Sequence, residues 1–186
     1  MINDERKKEL QELLFQSACS WDKYYFQMTL EDFEKAILGN EELFTYYIQQ
    51  RDTGFEGYRE KISYKINSLS SPEEIHYLIE TFNYDASPQV IEEIILNENC
   101  SIESAKTAYW NYQPLFYYDE FFGELSKCPP KKYYFPTVKL LMTIEEKVNS
   151  GSFLLNKIKK DGNSYEKPKN FDFEKKPYNK IPELLR

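Results

Sequence analysis

Three helix starts, at Ser71, Ser87 and Ser101, fall 16 and 14 residues apart, and they constrain the fold more tightly than any other feature. Ser71-Pro72-Glu73-Glu74 joins an N-cap serine to a proline at the first helical position, where a missing N–H costs nothing. Glu74 is placed to close a capping box. Behind this start Ile75, Leu78, Ile79 and Phe82 recur on one helical face, and Asn83-Tyr84-Asp85 reads as a turn. Ser87-Pro88 repeats the start, Val90, Ile91, Ile94 and Ile95 form its apolar stripe, and Asn97-Glu98-Asn99 stops it. Ser101 opens a third helix with Glu103 in its first turn and Ile102, Ala105, Ala108, Tyr109 and Tyr112 on its inner face. Short helices joined by short loops must pack antiparallel or steeply crossed. The expected fold is therefore mostly α. It is a compact single-domain bundle, or a helical-repeat-like stack of short antiparallel helices, with an irregular C-terminal tail.

The flanks follow the same logic. Residues 4–19 carry Leu10, Leu13, Leu14 and Ala18 at helical spacing. An aromatic cluster at 21–26 reads as extended chain or loop. Thr29 caps a helix with Leu30, Phe33 and Ile37 in its stripe, ended by Gly39-Asn40. Residues 41–50 read as helix, 51–57 as a turn, and Tyr58, Ile62, Ile66 and Leu69 outline another helix. Beyond the three central starts, 112–123 reads as an aromatic connection broken by Pro114, and Cys128-Pro129-Pro130 excludes helix. The last clear helix spans 136–149, with Val138, Leu141, Met142 and Val148 in its repeat and Glu145 as the one polar interruption. From 156 onward the chain turns Lys-, Asn- and Pro-rich. Phe171, Phe173, Tyr178, Ile181, Leu184 and Leu185 are able to pin this tail, so an ordered arm and a disordered tail both stay open. Three parts emerge: an N-terminal helical extension (1–67), a helical module (68–155) and a basic arm or tail (156–186).

Charge narrows the function classes. The net charge is −7, but residues 157–186 hold nine Lys/Arg against five Asp/Glu, which leaves 15 against 26 in the rest. An acidic body is a poor match for nucleic acid and a better one for a basic protein, although such acidity more often only keeps a protein soluble. Cys19, Cys100 and Cys128 are odd in number and unpaired in spacing, which fits reduced thiols and neither a disulfide framework nor a zinc site. The N-terminus lacks a signal-peptide pattern, and no apolar run approaches the ~20 residues that span a bilayer. A cytoplasmic protein with no cofactor, no metal and no membrane association is expected.

The run SPEEIHYLIETFNYD, followed by VIEEIILNENCSIESAKTAYW, resembles a bacterial family known as domain-of-unknown-function family 4274. Pro72, Glu73, Glu74 and His76 match its Pro-Glu-Glu-(apolar)-His start. Asn83, Tyr84 and Asp85 match its turn, with Tyr84 in place of Trp and no Gly after Asp85. Asn99, Cys100 and Thr107-Ala108-Tyr109-Trp110 match its later segments, and the resemblance covers about residues 68–155. It brings no established activity. Members are similar to small bacterial proteins found near secreted-toxin systems, so the resemblance suggests an immunity-type role.

His76 is the obvious candidate for chemistry, with Asp85 able to fold back toward its ring as a general-base pair. A histidine so placed more often ties a turn to a helix. No GxSxG, SxxK or HExxH motif accompanies it. The pairs Glu73-Glu74, Glu92-Glu93 and Glu145-Glu146 point about 100° apart on a helix and read as solvated faces. Cys100 stands beside a helix start that can lower a thiol pKa. Most of the rings should be core. Those left outside, among Tyr112, Tyr117, Tyr118, Phe121 and the carboxylates Asp119 and Glu120, would form a protein-binding patch. The leading expectation is a non-catalytic protein-binding protein, with an immunity protein that neutralises a basic toxin domain as its specific form. A small enzyme using His76 with Asp85, and a structural or regulatory adaptor using the basic tail, are the alternatives.

Overall fold

A computed structural model describes residues 2–21, 23–37, 41–155, 168 and 171–186. The Gly39-Asn40 stop and the start of the tail, 156–167, lie outside these residues, as do the side chains of Tyr24, Tyr25, Ile37 and Leu43. The described chain is all-α apart from one isolated parallel bridge between Ser101 and Leu154. None of its described helices is long and apolar enough to cross a membrane. It divides into two compact units, residues 2–68 and 69–186.

In the first unit α1 (Asp4–Ser20) packs on α4 (Glu41–Thr53) and α5 (Phe55–Asn67), with α2 (Lys23–Gln27) and α3 (Leu30–Ile37) against α4. Asn3 caps α1 by accepting from the Arg6 N–H at 2.8 Å, and Thr29 caps α3 by accepting from the Asp32 N–H at 3.1 Å. Cys19, Phe33 and Tyr47 form one buried cluster with Met28 and Phe44 against it. The Gln50 amide donates to the Cys19 carbonyl at 3.1 Å. Two expectations fail locally. Residues 51–57 are not an extended turn: Gly54, at φ +76°, is the single break between α4 and α5. The aromatic run at 21–26 is mostly helical, and the Arg59 guanidinium covers the Trp21 ring at 3.6 Å.

The second unit begins with α6 (Pro72–Thr81), α7 (Pro88–Leu96) and α8 (Ile102–Asn111), starting after Ser71, Ser87 and Ser101. Ser71 Oγ accepts from the Glu74 N–H at 3.3 Å and donates to the Glu73 carboxylate at 3.0 Å. Ser101 Oγ accepts from the Ser104 N–H at 3.1 Å. Ser87 makes no such bond, and its hydroxyl turns to Gln89. The stripes predicted for these helices are buried: Ile75, Leu78, Ile79, Val90, Ile91, Ile94, Ile95, Ala105, Ala108 and Tyr109 are all at 0% exposure. Pro114 does not break the chain but begins α9 (Pro114–Glu120), because Gln113 turns left-handed at φ +49° and proline is tolerated at a helix start. After a short 3₁₀ turn at Leu125–Lys127, α10 (Phe135–Asn149) packs on α7 and α8 and ends where Gly151 takes φ +66°.

The described part of the tail is ordered on this unit. Ile181 and Leu185 are 1% and 0% exposed, and the Trp110 indole donates to the Leu185 carbonyl at 2.9 Å. Leu184 stays half exposed. Gly123, at φ +76°, allows the approach, since a Cβ there would sit 2.9 Å from Pro177 Cβ.

Candidate functional site

The turn after α6 starts the site. Asn83 Oδ1 accepts from the Asp85 N–H at 3.1 Å, the side-chain turn that asparagine favours. Tyr84 folds back so that its hydroxyl donates to the Ile79 carbonyl at 2.9 Å, and its ring meets Tyr112 edge-on at 5.0 Å. The left-handed Gln113 then brings Phe116 and Tyr117 of α9 alongside. Tyr133 and Tyr134, just before α10, close the other wall, with Tyr117 and Tyr134 centroids 5.8 Å apart. These elements enclose a cleft of about 570 Å³. Six rings line it (Tyr84, Tyr112, Phe116, Tyr117, Tyr133 and Tyr134), and Asp85 is the one charged residue among the described lining.

Burial pushes the phenols of Tyr84, Tyr112 and Tyr117 above their ordinary range, so these walls stay neutral at physiological pH. Tyr133 is 89% exposed at the mouth, and Phe116 is 55% exposed. The Lys132 ammonium lies 5.9 Å from the centre of the Tyr134 ring. Residues 69–155 carry 13 Asp/Glu against six Lys and no Arg.

The six residues expected to form a binding patch do not share one surface. Tyr112, Tyr118 and Phe121 are buried, at 8%, 2% and 9% exposure, and this corrects their placement in an exposed patch. Asp119 is exposed but accepts a hydrogen bond from the tail residue Tyr178. Glu120 is exposed, with the Tyr134 hydroxyl 3.5 Å away. Only Tyr112 and Tyr117 reach the cleft. The helix explains the split: neighbours on α9 diverge by about 100°, so a contiguous aromatic run serves two environments.

His76 is also placed. Its Nδ1 lies 3.0 Å from Ser104 Oγ, and its Nε2 lies 3.2 Å from Glu80 Oε1. Its nitrogens thus face Ser104 and Glu80, not Asp85, which corrects the expected pair; Asp85 is exposed in its turn. The series Glu80–His76–Ser104 has the residue types of a nucleophile relay. Ser104 is 0% exposed and His76 2%, and Ser104 also meets Ser101 Oγ at 2.8 Å. In this arrangement they tie α6 to α8.

The paired glutamates are not all solvated. Glu92 is buried between α7 and α10, with Lys139 Nζ at 2.9 Å and Thr143 Oγ1 at 3.1 Å. Glu145 Oε1 accepts from Tyr109 at 2.6 Å and Tyr118 at 2.9 Å, while Glu146 faces solvent. Desolvation pushes the Glu145 carboxyl up to about 7, against the lowering effect of its two tyrosine donors. The polar interruption in the 138–148 repeat was the available signal for this site. Cys100 is no activated thiol, because burial pushes it up to about 12.

Comparison with known families adds one finding. Residues 70–149, from the edge of α6 to the end of α10, match the family model described as a domain of unknown function (DUF4274). The match includes every cleft wall and excludes residues 2–68 and the docked tail. No curated protein and no solved structure matches the chain.

Proposed function

We propose that the chain is a non-catalytic protein-binding protein, whose contact surface centres on the tyrosine-walled cleft and whose partner presents a basic segment. The cleft carries this reading: six rings converge on about 570 Å³ with a carboxylate in the wall. Aromatic residues that stay partly exposed around a concavity are the usual anchors of binding energy. The acidic excess of 69–155 favours a basic partner and repels nucleic acid. The tail supplies an internal precedent, since Lys180 lies 3.7 Å from Glu124 and Tyr178 donates to Asp119.

Neutralisation of a bacterial toxin domain in the cytoplasm is the specific form suggested by the family resemblance. The docking of Ile181 and Leu185 favours a structural use of the tail over a free adaptor arm. The immobilised protein and a Tyr117→Ala/Tyr133→Ala variant, challenged with native lysate at micromolar concentration, test the proposal. A basic partner should bind the parent, elute with salt and be lost from the variant. An acidic partner, one retained equally by the variant, or no partner would overturn it.

A further inference from the structure

We infer that the cleft is a receptor for an organic cation, a lysine ammonium or arginine guanidinium head inserted among the rings. This deepens the proposed function and rests on it for the identification of the cation's source as a protein side chain.

Four observations converge on that chemistry. The rings of Tyr84, Tyr112, Phe116, Tyr117, Tyr133 and Tyr134 line the cleft, and neutral aromatic faces carry the negative quadrupole that attracts a cation. Asp85 adds a carboxylate to the wall, and no lysine or arginine is among the described lining residues. Lys132 at the Tyr134 ring shows that an ammonium is accepted at this rim. The volume, about 570 Å³, exceeds a single long side chain and leaves room for the backbone that carries it.

The same features exclude the other ligands that aromatic walls accept. An anion would meet Asp85 with no cation in the lining. A nucleobase can stack on tyrosine, but its phosphates would meet a unit in which 13 carboxylates outnumber six lysines over 69–155. A purely apolar ligand would leave Asp85 and Gln113 facing carbon.

The test uses the full chain, with amide chemical shifts followed during titration. The probes are N-acetyl-arginine amide, N-acetyl-lysine amide, tetramethylammonium, and tert-butyl alcohol as the neutral isostere of the last. Cations should shift resonances of 84–86, 111–117 and 133–137, with the neutral isostere bound about tenfold more weakly or worse. Asp85→Asn should weaken cation binding several-fold, and Tyr133→Ala about tenfold; both side chains are exposed, so the amide spectrum reports an intact fold. tert-Butyl alcohol binding as well as tetramethylammonium, or cation shifts unaffected by both substitutions, would overturn the inference. The amides binding more tightly than tetramethylammonium would support a protein side chain as occupant. The reverse order would keep the cation site and sink the side-chain source. No cation binding by the parent chain, alongside a basic partner that binds the parent and not the Tyr117→Ala/Tyr133→Ala variant, would sink the cation inference while sparing the proposed function.

Discussion

Beside α9 lie two groups of aromatic and acidic residues with opposite fates. Tyr118, Asp119 and Gly123 are engaged from within: Tyr118 by Glu145, Asp119 by Tyr178, and Gly123 by the close pass of Pro177. Tyr117 and Phe116 instead wall a cleft that no segment of the described chain fills. The two regions share residue types, and composition does not tell them apart. What separates them is whether the chain returns. The tail satisfies the first region with a buried Leu185 carbonyl on Trp110, and nothing comparable reaches the second.

The sharpest way to break this contrast is Trp110→Ala. Trp110 is 4% exposed, stacks edge-on with Phe173 at 5.9 Å and holds the tail through its indole N–H. Its loss should destabilise the protein by about 3–5 kcal/mol in urea unfolding. A cost under about 1 kcal/mol would mean that the tail is not part of the packed unit.

Glu145→Gln comes next, beneath the tail-covered region. With its carboxyl raised from 4.5 to about 7, the folded state holds the Glu145 proton more tightly than the unfolded state does. Stability from this group is therefore fully present below pH 4.5 and falls as pH rises toward about 7. The neutral glutamine should match the parent at low pH and exceed it above pH 7 by up to about 3 kcal/mol. Urea midpoints across that range check the sign; a parent that gains on the variant as pH rises would reverse it.

Gly123→Ala probes the seam where the tail crosses. The added Cβ meets Pro177 and the left-handed φ disfavours it, so a loss of about 1–3 kcal/mol is expected. Hydrogen exchange at residues 178–186 should quicken while α7 stays protected. The smallest stability effect belongs to the cleft: Tyr133→Ala, at an 89% exposed ring, should change stability by less than about 0.5 kcal/mol. Its consequence should appear in the binding of cations and of the basic partner.

The sequence made much of this fold legible. The Ser71 and Ser101 caps and the buried stripes of α6 to α8 all follow from interactions within a turn or two of the chain. Pro114 was misleading, because a proline that ends one element and a proline that begins the next look alike without the backbone of Gln113. Glu145 was visible as an interruption, yet its adjacency to Glu146 suggested solvent.

What the sequence determined by itself was the helices other than α2 and α9 and the apolar faces of α6 to α8, since capping and periodicity are local hydrogen bonding and local geometry. Only the tertiary structure decided how the polar and aromatic groups were used. Glu145 meets donors 36 and 27 residues away, Trp110 meets a carbonyl 75 residues away, and His76 meets Ser104 across 28. Nothing in a local pattern encodes partners at such separations. Whether a tyrosine becomes core, tail seat or cleft wall depends on which distant backbone arrives to cover it.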